Sequence, residues 1–232
     1  MTFIGTAGWS IPSSNKAAFP GQGSHLERYA TRFSCVEINS SFYRPHKRAT
    51  YEKWAATVPS EFRFSVKIPR SITQIRRLHD YGGELDRFIE EVTGLGTKLG
   101  VLLVQLPPSL AFERSVATKF FRDLAQAGIW MACEARHASW FDSGADKVLK
   151  SLKVARVSAD PPRAPTDGVP GGDTTIAYFR LHGSPKTYYS NYSAKKLSKW
   201  ATKLRPHDWC IFDNTAGQHA LANALSLKKT LR

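Results

Sequence analysis

The chain has 232 residues, 42% of them hydrophobic, with 13 Phe, 8 Tyr and 6 Trp. That supply of apolar side chains excludes a disordered polypeptide, the length suits one domain of (β/α)₈ size or two small ones, and no apolar run is long enough to cross a bilayer. With 33 Lys and Arg against 19 Asp and Glu, the formal net charge is +14, which draws polyanions or anionic surfaces but carries no information about fold.

Strand-like and helix-like segments alternate from the start of the chain. The opening Met1-Thr2-Phe3-Ile4-Gly5 has no basic region ahead of a long apolar one, so no secretory leader is expected and a cytoplasmic location is. Phe3 to Thr6 reads as the first strand. Ser24-His25-Leu26-Glu27 is a capping-box pattern, and Leu26, Tyr29, Ala30 and Phe33 follow at helical spacing. A second strand runs from Ser34 to Asn39, followed by a helix around Thr50 to Thr57, and a third from Phe62 to Lys67. Leu85, Phe88, Ile89, Val92 and Leu95 then mark one face of a long helix.

The fourth strand, Gly100 to Gln105, is stopped by Pro107-Pro108, and a helix spans Ser115 to Ala127. The fifth is Ile129 to Glu134, with a helix from Asp142 to Leu152, and the sixth is Val154 to Ser158. A Pro/Gly-rich loop from Pro161 to Gly172 is too irregular to be an element. Thr175 to Leu181 is the seventh strand. Ser193 caps a helix carrying Leu197, Trp200, Ala201 and Leu204, Trp209 to Phe212 is the eighth strand, and a last helix covers His219 to Lys229. Eight β-then-α units, the sixth helix being poorly defined, predict an α/β, TIM-like (β/α)₈ barrel as one domain over residues 1–232. A doubly wound dinucleotide fold is disfavoured because no GxGxxG turn follows the first strand. Cys35, Cys133 and Cys210 are far apart and in no CxxC pattern, so buried free thiols are expected.

The chemistry gathers at the strand ends. Residues two apart on a strand share a face. Glu37 pairs in this way with Asn39, Ser65 with Lys67, Leu103 with Gln105, Glu134 with Arg136, Arg180 with His182, and Phe212 with Asn214. An unpaired charge at the end of a buried strand costs several kcal/mol, and a barrel brings all such ends to one mouth. The expected catalytic set is Glu37, Lys67, Glu134, His137 and Asp160. The expected binding set is Asn39, Tyr43, Gln105, Arg136, Arg180, His182 and Asn214. Ion pairs that merely close the barrel top, such as Glu134 with Arg180 or Glu37 with Lys67, are the competing reading.

Two basic loops, with Arg44, His46, Lys47 and Arg48 and then Arg70, Arg76, Arg77 and His79, follow the second and third strands and would attract phosphate. Phe42, Tyr43, Trp140, Tyr188, Tyr189 and Tyr192 add aromatic rings near the mouth. Lys195, Lys196, Lys199 and Lys203 fit a solvated outer helix face better than a binding surface.

Several of these segments together resemble the YecE-like family, domain-of-unknown-function family 72. They are Ile4-Gly5-Thr6-Ala7-Gly8-Trp9, Val36 to Tyr43, Lys98-Leu99-Gly100 with Gln105 to Pro108, Glu134 to Trp140, and Tyr178 to Gly183. The resemblance runs from near residue 3 to near residue 225 and implies a (β/α)₈ barrel. It supplies no established reaction, only a suggested structural analogy with barrel endonucleases acting on damaged DNA. The chain departs from the family pattern in a shortened stretch after Trp9, in Gln74 where a His is usual, and in Asp213 where the first Asn of a Phe-Asn-Asn triplet is usual.

The leading functional expectation is an enzyme, a hydrolase or lyase, acting on a phosphate-containing or nucleic-acid substrate. Glu134 or Glu37 would be its acid or base, with Arg180, Arg136 and Lys67 on the anionic oxygens. A divalent metal held among Glu37, Glu134, His137, Asp160 and His182 is a variant of that expectation. The alternatives are a non-catalytic nucleic-acid-binding module and a carbohydrate-active hydrolase using Glu37 and Glu134 as its carboxylate pair. The expected partner is an anionic small molecule or nucleic acid, with no membrane and no obligate protein partner.

Overall fold

A computed structural model describes residues 1–162 and 168–231; residues 163–167 of the expected Pro/Gly-rich loop lie outside it. Among the described residues there are ten strands, nine of which fill eight barrel positions. They are β1 (Phe3–Thr6), β2 (Cys35–Ile38), β3 (Arg63–Lys67), β4 (Leu99–Gln105), β5 (Trp130–Glu134), β6 (Val154–Arg156), β7 (Ser158–Asp160), β8 (Gly171–Gly172), β9 (Tyr178–Leu181) and β10 (Trp209–Phe212). Parallel pairing runs β2-β3-β4-β5-β6 on one side and β1-β10-β9-β7 on the other. The two arcs meet where an Ala7–Glu37 bridge links the ends of β1 and β2, and where the chain passes from β6 to β7 through Val157. At the first junction the strands are so close that a Cβ on Gly5 would fall 2.4 Å from the Cys35 carbonyl oxygen.

The sixth position is thus one strand split in two. β6 pairs with β5 and β7 with β9, while the Val157 amide still donates to the Cys133 carbonyl at 2.9 Å. Among its described residues, the Pro/Gly-rich stretch contributes one regular piece that sequence reasoning did not foresee, the two-residue β8, antiparallel to β6.

Helices α1 (His25–Ala30), α2 (Arg48–Thr57), α3 (Gly82–Val92), α4 (Arg114–Ala125), α5 (Ser143–Ser151), α6 (Ala194–Ala201) and α7 (Ala220–Thr230) surround the strands. The Ser24–Glu27 capping box forms, and Asp142 and Ser193 cap α5 and α6. The long helix expected through Leu95 ends instead at Val92. A 3₁₀ turn, Thr93–Lys98, takes over, broken by Gly96 at φ 54°.

Strand alternation divides the core into two. Outward residues such as Leu102, Val104, Cys133, Phe179, Leu181 and Phe212 share one core with the inner faces of the helices, including Phe120, Leu197 and Leu227. Inward residues form a smaller core of Cys35, Val101, Leu103, Ala132, Val157, Ile176, Tyr178, Trp209 and Ile211. Phe3 stacks on Trp209 at 4.8 Å and Trp209 on Tyr178 at 5.9 Å, so an aromatic column fills the lower barrel. The Tyr178 hydroxyl ends that column, and above it the interior turns polar. All three cysteines are buried free thiols.

Candidate functional site

Arg180, on β9, is fully buried at the centre of the upper barrel. Its Nε and Nη2 grip the two oxygens of Glu37 on β2 at 3.0 and 2.6 Å. Its Nη1 lies 2.5 Å from Glu134 Oε2 on β5, and Nη2 also reaches Asp213 Oδ2, after β10, at 3.1 Å. One guanidinium therefore ties together strands distant in sequence, and its planar fork suits this multidentate role. Register explains the convergence: Glu37 lies beside Ser65, Gln105 beside Glu134, and Arg180 beside Ile211 on one flank and Ala159 on the other.

A second layer of hydrogen bonds fixes these carboxylates. Tyr178 donates its hydroxyl to Glu37 Oε2 at 2.9 Å and lies 2.7 Å from Ser65 Oγ. Gln105 Nε2 donates to Glu134 Oε2 at 2.8 Å, and Arg136 Nη2 to Glu134 Oε1 at 3.2 Å. His182 spans Glu134 Oε1 and Asp213 Oδ2, each at 3.0 Å. Burial by itself would raise the Glu134 carboxyl, but Arg180, His182 and Arg136 outweigh it and hold Glu134 well below the usual carboxylate range. Burial by itself would lower His182, but Glu134 and Asp213 outweigh it and raise its pKa. With His182 protonated, four cationic groups (Arg180, Arg136, Lys67 and His182) face the three carboxylates.

Lys67 differs from the other three. It ends β3 and is 4% exposed. Its ammonium forms no ion pair and no hydrogen bond among the described residues; its Nζ lies 3.9 Å from the centroid of the Phe42 ring. The Ser41 hydroxyl donates to the Lys67 carbonyl at 2.6 Å, which clasps the turn after β2 onto β3 and seats Phe42 over the amine. Burial, and then the nearby Arg180 guanidinium, lower the Lys67 pKa to about 8, against the pull of Glu37, Glu134 and Asp213. Elsewhere among the expected residues, Asn39 Oδ1 and Arg136 Nε are buried with no hydrogen-bond partner.

The structure thus brings together Glu37, Lys67, Gln105, Glu134, Arg136, Arg180 and His182 from the expected set. Three others point elsewhere. Asp160 faces outward, accepting from the Tyr192 hydroxyl at 2.7 Å and pairing with Lys196 of α6 at 3.1 Å. Asn214 also faces outward, donating to Asn223 Oδ1 and the Ser190 carbonyl. His137 caps the turn after β5 by accepting from the Ser139 amide. Tyr43 is 68% exposed on the rim.

Asp213 is the member that sequence reasoning missed. The signal for it is an acid closing an apolar run, Trp209 to Phe212. Of the aromatic rings, Phe42 covers Lys67 and Tyr188 stands edge-on to His182 at 5.7 Å, whereas Trp140 and Tyr192 pack outside the barrel interior. In the basic loops, Arg48 and Arg76 pair with Glu52 and Glu84, and Arg77 binds Ser109.

The expected metal ligands do not assemble. Among the described residues, no group of three or more His, Cys, Asp and Glu side chains is placed to hold a metal ion. His137 and Asp160 lie apart from the centre, and Arg180 stands between Glu37 and Glu134.

A parallel eight-position barrel with a buried ionic cluster at the carboxyl ends of its strands places this chain among TIM-like barrel proteins whose polar groups converge at the mouth. More particularly, the chain belongs to the family described as protein of unknown function DUF72, which matches residues 3–232. It is 25% identical to the UPF0759 protein YunF of Bacillus subtilis, over all of this chain and 95% of that relative. It is 26% identical to the UPF0759 protein YecE of Escherichia coli over 63% of this chain, spanning about half (53%) of that relative's length. The DUF72 protein structure from Thermotoga maritima superposes with a TM-score of 0.79 at 24% identity, covering 100% of this chain and 99% of that one. D-psicose 3-epimerase superposes with a TM-score of 0.53 at 9% identity over 89% of this chain and 90% of its own, a likeness of fold alone. Among the described residues no helix is long and apolar enough to cross a membrane.

Proposed function

We propose that the barrel mouth binds a small anionic substrate carrying phosphate or carboxylate groups, and that the protein is an enzyme in which Lys67 meets the reacting part of that substrate. Lys67 carries this reading. An ammonium largely withdrawn from water without a carboxylate partner is unfavourable in a folded protein, and a bound anion would relieve it. Arg136, with its Nε unpaired, stands ready as a second anion-binding group.

The other readings draw less support. Glu37 and Glu134 share one guanidinium, and Glu134 is held ionised. A glycosidase needs the space between its two carboxyl groups for the sugar and its water, and here Arg180 bridges them. A nucleic-acid module would use the rim loops, yet several of their arginines are engaged within the protein.

Titration calorimetry with inorganic phosphate at fixed ionic strength tests the reading. Phosphate is expected to bind the wild type, and Lys67→Met to weaken binding by roughly tenfold or more, the loss expected for one charge-assisted contact. Equal affinity in the two proteins would sink it.

A further inference from the structure

We propose that Lys67 is a covalent-catalysis residue that condenses with the carbonyl carbon of a small oxo acid to form an imine. This rests on the anionic-substrate reading of the mouth and names the substrate class. The neighbouring carboxylates are all committed, to Arg180, His182, Gln105, Arg136 and Tyr178, and none ties up the lysine. Two other cations at the mouth, the buried Arg180 and the partly buried Arg136, are guanidiniums that stay charged. Lys67 alone of the three can present a neutral nitrogen lone pair. The Phe42 ring, seated by Ser41, shields one side of the amine. Arg136 supplies a guanidinium for the carboxylate of the oxo acid.

The step balances without any other reactant. An N–C bond forms and the carbonyl C–O bond breaks, and the oxygen departs as water with two of the three ammonium protons. No atom is oxidised or reduced. The product is a protonated imine, so the positive charge stays where the ammonium held it, beneath the same aromatic face and among the same carboxylates. That iminium can accept an electron pair from the adjacent carbon, which suits proton abstraction or carbon–carbon cleavage there.

The test treats the full chain with pyruvate and sodium cyanoborohydride near pH 7.5, then maps reduced adducts by peptide mass spectrometry. A pKa of about 8 against 10.5 for an ordinary lysine favours Lys67 as the neutral amine. Its labelling is therefore expected to exceed that of any other lysine by roughly tenfold or more, and to slow when phosphate is added. Lys67→Arg, which keeps the charge, should lose this adduct while still binding phosphate by calorimetry. Phosphate binding to the wild type with no preferential adduct at Lys67 would overturn the imine and leave the anion site standing. An adduct at Lys67 without phosphate binding would support the imine and remove the anion reading. Failure of both would remove both.

Discussion

Arg180 and Lys67 reach the same opening from opposite sides of the barrel, and they are housed in opposite ways. Arg180 meets three carboxylates through four contacts between 2.5 and 3.1 Å. Lys67 meets an aromatic face and no carboxylate among the described residues. A guanidinium that cannot shed its proton is tolerable inside a protein only when fully paired, so its surroundings are framework. An amine can shed its proton, and leaving it unpaired lowers the barrier to doing so. On the proposed reading, the contrast separates what holds the mouth together from what would act on a ligand.

The largest effect should come from removing each cation in turn. Arg180→Met strands Glu37, Glu134 and Asp213 without their shared counter-charge, and urea unfolding should show a loss of about 3–5 kcal/mol or failure to fold. Lys67→Met deletes a charge that no carboxylate pairs among the described residues and that lies against the Phe42 ring, and should cost no more than about 1 kcal/mol. Similar losses in the two variants would erase the distinction.

The pH profile of stability sharpens the same contrast. The native Lys67 pKa of about 8 lies below its ordinary 10.5, so between those values the unfolded chain binds more protons than the native one. Stability from this group therefore rises with pH across that window, by roughly 1–3 kcal/mol. Lys67→Met should lack that rise, which unfolding curves at pH 7.5 and 10 would reveal in the difference between the two proteins. The acid limb has the reverse origin. Glu134 and Asp213, both held low, contribute stability above their ordinary 4.5 and 3.8 that is lost as pH falls through their native values, in wild type and Lys67→Met alike.

The smallest effect is expected outside the mouth. Asp160→Asn weakens a half-exposed pairing with Lys196 and a hydrogen bond to Tyr192, a cost of about 1 kcal/mol or less by thermal unfolding. Phosphate affinity should be unchanged. A marked loss of affinity would return Asp160 to the site.

Where sequence reading failed, the failures share a cause. β10 is Trp-Cys-Ile-Phe, buried on both faces, so its alternation carries no phase. Reading Phe212 with Asn214 set the strand off by one, and only its register beside Arg180 turns Ile211 and Asp213 inward. Asp160 suffered similarly: the strand through Val157 sends Ala155, Val157 and Ala159 inward and leaves the acid facing α6. His137 follows the last strand residue closely enough to be absorbed by the cap of the next turn. By contrast, Lys67 and Glu134 end their strands and Glu37 and Arg180 stand one residue short of the end, where strand alternation points all four into the barrel.

Local chemistry written along the chain determined the alternation of strands and helices, the caps at Ser24, Asp142 and Ser193, and the family, because these depend on neighbours a few residues apart. The tertiary structure decided which charges are partners. Pairing energy inside a barrel depends on distances across it, between strands more than a hundred residues apart such as β2 and β9. That is why the sequence could suggest Lys67 as a partner of Glu37, while the folded chain gives Glu37 to Arg180 and leaves the lysine under an aromatic ring.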